Sequence, residues 1–181
     1  MRGHDLFRYV AIAACVFCYV TILLGGNVMA SDSGLACPDW PTCHGTLLPP
    51  LTGSTGIEWS HRVAAFVLSA SIGTLMLLAV AFERRRPVVL RLSAIAFGAV
   101  VGQALLGGWV VVSGLTVGIV LLHLALATAL FAVLLVLVLL ANLREVPRRW
   151  LDWALRATDE REPTDDELWG SPAPTADGAR V

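Results

Sequence analysis

Residues 118–141 read GIVLLHLALATALFAVLLVLVLLA, an apolar run without one charged side chain and with a single histidine, His123, near its start. A helix rises about 1.5 Å per residue, so crossing a hydrocarbon core takes about 20 such residues. This run meets that requirement, and three others do so upstream, at about 9–30, 59–82 and 90–112. The chain of 181 residues is 56% hydrophobic and only 15% charged, which excludes an ordinary soluble domain. Its fold class is therefore all-α integral membrane, a bundle of four transmembrane helices. All 13 basic residues are arginine and the net charge is -1, so no basic field calls for nucleic acid.

Arginine placement sets an expected orientation, because short loops rich in basic residues stay cytoplasmic. Arg2 and Arg8 precede the first span, Arg84, Arg85, Arg86 and Arg91 surround the second loop, and Arg144, Arg148 and Arg149 follow the fourth span. The first and third loops carry no arginine. Both termini are thus expected in the cytoplasm and the first loop outside a cell membrane crossed several times. A cleaved signal peptide is the alternative for the first span, yet its apolar run exceeds the usual signal core of roughly 7–15 residues. The expected division is a transmembrane domain over 1–143, an interfacial amphipathic helix over 144–157 carrying Trp150 and Trp153, and a disordered cytoplasmic tail over 158–181 rich in acids, proline and glycine.

The spans repeat. Leu23-Leu24-Gly25-Gly26-Asn27-Val28 in the first echoes Leu105-Leu106-Gly107-Gly108-Trp109-Val110 in the third, and Ser-Gly-Leu follows each, at 33–35 and 113–115. The chain thus reads as two pseudo-repeated helical hairpins, each supplying one histidine from its second helix, His61 and His123. The glycine pairs permit close approach of a neighbouring helix or of a flat ligand. Gln103 reads as interhelical hydrogen-bond glue.

Ligand-forming side chains inside a span are costly and usually have partners. His61 and His123 sit at matching depth, one or two turns below the same face, where two neutral imidazoles suit the axial positions of a haem iron. Zinc would need further ligands at that depth. The plain alternative is that each histidine hydrogen-bonds a neighbouring helix, but a matched pair favours ligation.

Glu58-Trp59-Ser60-His61-Arg62 places Glu58 and His61 on one helical face. Glu58 could take protons beside a bound ligand, or simply pair with Arg62 four residues on. Arg62 could instead hold a ligand carboxylate such as a haem propionate. In the first loop, Cys37-Pro38-Asp39-Trp40-Pro41-Thr42-Cys43 lies in an oxidising compartment, where a Cys37–Cys43 disulfide is the expected state, either pinning the loop or exchanging with a thiol. Cys15 and Cys18 share a redox-like spacing but lie at the other depth and read as packing residues. His4 and His44 show no second ligand.

The ordered set of Gly25-Gly26, then Ser33-Gly34-Leu35-Ala36-Cys37-Pro38-Asp39-Trp40-Pro41-Thr42-Cys43, then Glu58-x-x-His61-Arg62, then Leu106-Gly107-Gly108 and His123-Leu124 resembles haem A synthase over about residues 20 to 130. That family oxidises a methyl group of haem O to the formyl group of haem A for terminal oxidases. The resemblance implies that His61 and His123 bind haem iron, that Glu58 is the catalytic carboxylate, that Arg62 assists cofactor binding and that Cys37 and Cys43 form the loop disulfide. It also implies an oxidoreductase with haem O as substrate, haem A as product, and haem O synthase and a terminal oxidase as partners. Typical members have two four-helix halves, the second holding haem b. One half is present here, so a homo-oligomer is expected to supply the other. The competing classes are a bis-histidine haem b electron carrier, for which Glu58 has little use, and a membrane thiol:quinone oxidoreductase.

Overall fold

The computed structural model describes residues 3–143, and the expected interfacial helix and tail lie outside them. Four helices follow one another: α1 (Gly3–Ala30), α2 (Gly53–Phe82), α3 (Pro87–Val112) and α4 (Val117–Asn142). Each is long and apolar enough to cross a membrane, so the chain is an all-helical, multi-pass membrane protein. The helices outrun the expected spans, most of all at two starts, α1 at Gly3 rather than near Tyr9 and α2 at Gly53 rather than near Trp59. Hydropathy marks only the hydrocarbon-crossing part, whereas the backbone hydrogen-bond ladder runs on into polar flanks. At the start of α2 Thr52 is extended (φ -123, ψ 147) and its carbonyl accepts the Gly56 N–H at 3.3 Å. α3 opens on Pro87, where a missing N–H costs nothing because first-turn donors lack helical partners anyway.

Each helix packs on its two antiparallel neighbours, α1 on α2, α2 on α3, α3 on α4 and α4 on α1, while the diagonal pairs stay apart. The hairpins α1–α2 and α3–α4 expected from the repeat thus lie side by side. Large apolar residues point outward on every helix, Phe66 at 75% exposure and Leu77 at 72% among them, which fits lipid surroundings rather than water.

The packed core is lopsided. Its buried members are Phe7, Ala11, Ala14 and Cys18 of α1, Leu68, Ile72, Leu75 and Ala79 of α2, Val89, Ala96 and Val100 of α3, and Leu130, Leu134, Leu137 and Ala141 of α4. All lie in the half of the bundle nearer the arginine-rich loop. A polar latch closes that end: Glu83, buried, is met by His4 Nδ1 at 2.6 Å and by Arg86 Nη1 at 3.4 Å, and Arg86 Nη2 donates to the Leu140 carbonyl at 2.6 Å. His4, unassigned from sequence, finds its partner there. In the other half the described part of α4 buries nothing before Leu130, and α2 buries only Glu58 before Leu68.

The long first loop covers that second half. Cys37 and Cys43 are joined, as expected, with Cα atoms 4.6 Å apart, and Cys43 and Thr46 exchange backbone hydrogen bonds of 2.9 and 3.1 Å. Trp40 lies flat on α3 at Gly108, where an added Cβ would stand 2.9 Å from the indole Cδ2. Gly108→Ala should therefore displace the indole. Helix propensity favours alanine by about 1 kcal/mol, offsetting a crowding cost of about 1–3 kcal/mol. Global melting in detergent should stay nearly constant while amide exchange across residues 31–52 accelerates; unchanged exchange would contradict this seating of Trp40.

Candidate functional site

The two hairpins treat their histidines alike. His61 of α2 turns its Cε1 edge onto Gly25 of α1, where a Cβ would stand 3.0 Å away, and His123 of α4 turns its Cε1 onto Gly107 of α3, where a Cβ would stand 3.2 Å away. The first glycine of each repeated pair is thus the seat of an imidazole from the partner helix. The second differs: Gly108 carries Trp40, whereas nothing lies within 4 Å of a Cβ built on Gly26. His61 stands roughly 12 Å and His123 roughly 9 Å along their helices from the loop-covered end, at 1.5 Å per residue.

Local hydrogen bonds decide which ring nitrogen is presented. His61 Nδ1 lies 3.1 Å from the Thr21 carbonyl, an acceptor only, so Nδ1 carries the proton and Nε2 keeps its lone pair. That is the state in which an imidazole can ligate a metal, its other nitrogen oriented by a carbonyl. His123 differs: its Nδ1 is buried and meets no partner, while Gln103 Nε2 donates to the His123 carbonyl at 3.0 Å. Among the described residues no group of three or more His, Cys, Asp or Glu side chains is placed to share a metal ion.

A flat, largely apolar ligand with an iron at its centre fits these residues. Two glycine-seated imidazoles come from opposite hairpins, and outside the aliphatic cluster of the other half the described helices bury only Val28 among aliphatic side chains. The orphaned Nδ1 of His123 is a further sign that the ring is set for something other than a neighbouring helix.

Glu58 is 3% exposed, one turn from His61, and is already engaged. Its Oε2 accepts the Cys37 N–H at 2.7 Å and its Oε1 accepts Arg62 Nη2 at 2.5 Å. Arg62 donates further from Nη2 to the Cys37 carbonyl at 2.9 Å, and from Nη1 to the carbonyls of Asp39 and Thr42 at 2.7 and 2.6 Å. Four of its N–H groups are thus spent on the clamp, leaving Nε–H without a partner among the described residues. The i, i+4 pair expected from sequence forms, but as a buried clamp on the disulfide loop rather than a surface bridge. Removing one member of such a pair strands the other, at a cost of about 3–5 kcal/mol. Arg62→Leu should lower stability by that order and expose Cys37 and Cys43 to reductant; thermal unfolding and thiol labelling read both, and an unperturbed loop would contradict the clamp.

Within the loop, the Asp39 carboxylate gathers the Thr42 hydroxyl and the backbone N–H groups of His44 and Gly45, the last two at 2.6 and 3.0 Å. The Thr42 hydrogen bond foremost, with those amides, holds its carboxyl down at about 2, below the ordinary 3.8. A depressed carboxylate contributes stability that is whole above its unfolded value and lost as pH falls through the folded one. Protection of the Gly45 amide should therefore fall only between about pH 4 and pH 2, and Asp39→Asn should remove it at neutral pH. Cys15 and Cys18 remain free, Cys18 within the core, and neither joins the disulfide. His44 stays in the loop, its Nε2 2.9 Å from the Ala36 carbonyl.

Two antiparallel hairpins, each seating one histidine on a glycine of its partner helix, define a four-helix membrane module built from two like halves. The family model described as "Cytochrome oxidase assembly protein", COX15-CtaA, matches residues 8–163, and the chain belongs to that family. Among similar proteins, "Heme A synthase" of Geobacillus kaustophilus is 34% identical over 134 residues, 74% of this chain and 42% of its own length. "Heme A synthase" of Bacillus cereus (strain 03BB102) and of Bacillus anthracis (strain CDC 684 / NRRL 3495) are each 33% identical over 131 residues, 72% of this chain and 42% of theirs. The chain thus spans less than half the length of these relatives.

Proposed function

We propose that this four-helix module is the substrate-binding half of a haem A synthase, an oxidoreductase that converts a methyl group of haem O to the formyl group of haem A for a terminal oxidase. The observation that carries the reading is the seating of His61 on Gly25 and His123 on Gly107. Family membership and the named relatives support it. On this reading His61 and His123 hold the iron of haem O, Nε2 of His61 being free for it because Nδ1 donates to Thr21. Substrate would arrive from a haem O synthase through the bilayer, and the disulfide loop would face outward with both termini in the cytoplasm, as the arginines predict.

Replacing two C–H bonds of the methyl group with a carbonyl requires protons to leave the reacting carbon in a site shielded from bulk water. Glu58 is the group for this. A carboxylate has about four acceptor positions; the Cys37 and Arg62 contacts use two. Arg62 holds Glu58 in place and adds positive charge toward the substrate's propionates, with Nε–H its remaining donor. A second copy of the chain would supply the half that takes the electrons through a haem b. Cross-linking in membranes should trap homo-oligomers, and a strictly monomeric protein that converts haem O would contradict that assembly.

One observation favours a second reading, a haem b electron carrier: both Glu58 oxygens already serve the loop clamp. Glu58→Gln separates the two. It keeps a side chain of the same shape, so haem should still co-purify. Mass analysis of extracted haem from cells supplying haem O should show haem A in wild type and at least about 100-fold less in the variant, the lower end of the usual range for a lost acid–base group. Haem A at the wild-type level would reject Glu58 as catalytic; haem b alone in both proteins would establish the carrier.

A further inference from the structure

The register that lays Leu23–Val28 on Leu105–Val110 also lays Thr21 on Gln103. These two positions are where the hairpins address their histidines. In the first, the Thr21 carbonyl takes the His61 Nδ1–H at 3.1 Å. In the second, Gln103 is tied to the His123 residue, its Nε2 donating to the His123 carbonyl at 3.0 Å, yet two buried atoms of that bonded pair are left over: Oε1 of Gln103, an acceptor, and Nδ1 of His123. A buried acceptor and a buried potential donor on residues already joined are complementary, and leaving each unmet costs about 1–3 kcal/mol. The amide orientation is not arbitrary either: reversing it would set Oε1 against the His123 carbonyl, so Oε1 is the free end.

We propose that Gln103 is the positioning residue for His123, its Oε1 accepting the Nδ1–H when the imidazole turns to present Nε2 to a ligand iron. The inference rests on the haem-ligating reading of His61 and His123. Gln103 then does with a side chain what the backbone at Thr21 does for His61. The difference matters: the carbonyl of Thr21 is fixed by its helix, whereas the Gln103 amide can move, so the His123 side is the adjustable one. The hydrogen bond would satisfy both Oε1 and Nδ1.

The test uses purified full-length chain loaded with iron protoporphyrin IX, comparing wild type with Gln103→Leu and Gln103→Glu. An acceptor at Nδ1 makes the imidazole a stronger donor and favours ferric iron, so Gln103→Leu should raise the midpoint potential and weaken haem retention about tenfold, the lower end for an outer-sphere partner of a metal ligand. Gln103→Glu, a charged acceptor in the same place, should lower the potential below wild type. A role confined to the Nε2 tie with the His123 carbonyl is lost in both variants alike, so shifts of the same sign in both, or no shift, would overturn the proposal. Should the buried carboxylate of Gln103→Glu prevent folding, the ferric electron paramagnetic resonance g-values of the leucine variant decide, because they report the donor strength of the imidazole at Nδ1: shifted g-values together with a raised potential support the role, and unchanged g-values reject it. Wild-type protein that takes up haem with two axial histidines while the variants leave the potential unmoved defeats this inference alone; failure of wild type to ligate haem defeats the underlying reading and this with it.

Discussion

The missing side chains at Gly25 and Gly107 are the constraint on which the rest of the molecule turns. Helices in lipid gain little from hiding apolar surface against one another and associate through close packing and a few polar contacts. At these two levels each hairpin spends its close approach on an imidazole edge: Cε1 of His61 against α1 and Cε1 of His123 against α3. Any larger residue would push the rings away from their helices. The main aliphatic cluster lies toward the opposite end, where Ile72, Leu75, Leu134 and Leu137 pack in the half that the Glu83 latch closes. One end is packed for cohesion and the other is arranged around two ring nitrogens.

Over that arranged end the disulfide loop is held by charge rather than by apolar burial. Arg62 and Glu58 emerge one turn apart from α2 beside His61 and together satisfy Cys37 N–H and the carbonyls of Cys37, Asp39 and Thr42. A loop with four prolines has many backbone carbonyls to satisfy, and a guanidinium fork is suited to gathering several of them at once. The consequence is a coupling of the proposed chemistry to the cover: Glu58, the carboxylate we propose to receive protons, is also a post for the loop above it. Trp40 on Gly108 gives the loop its second footing, on the other hairpin.

Much of this was legible in the sequence. The apolar runs announced four helices, and the glycine–glycine echo announced two hairpins, because in lipid both length and close approach are written directly in composition. His61, His123, Glu58, Arg62, Cys37 and Cys43 could be singled out because each is costly or unusual where it stands. What could not be read was who meets whom. Nothing local to His4 points to Glu83, and nothing local to Trp40 points to Gly108, since both contacts join residues far apart in the chain. The sequence left Arg62 between Glu58 and a ligand carboxylate; the loop carbonyls that fill its fork carry no sequence signal, because a backbone oxygen looks the same at every residue. Helix ends were misplaced at Gly53 for a related reason, hydropathy being blind to hydrogen bonding in polar flanks.

The account stands on one claim, that His61 and His123 together clasp a single iron between the hairpins. Absorption and electron paramagnetic resonance spectra of the haem-loaded protein test it most directly. The account predicts six-coordinate low-spin ferric iron with two imidazole ligands in wild type, turning high-spin in His61→Ala and, separately, in His123→Ala. A low-spin bis-imidazole signal that survives either substitution would contradict it.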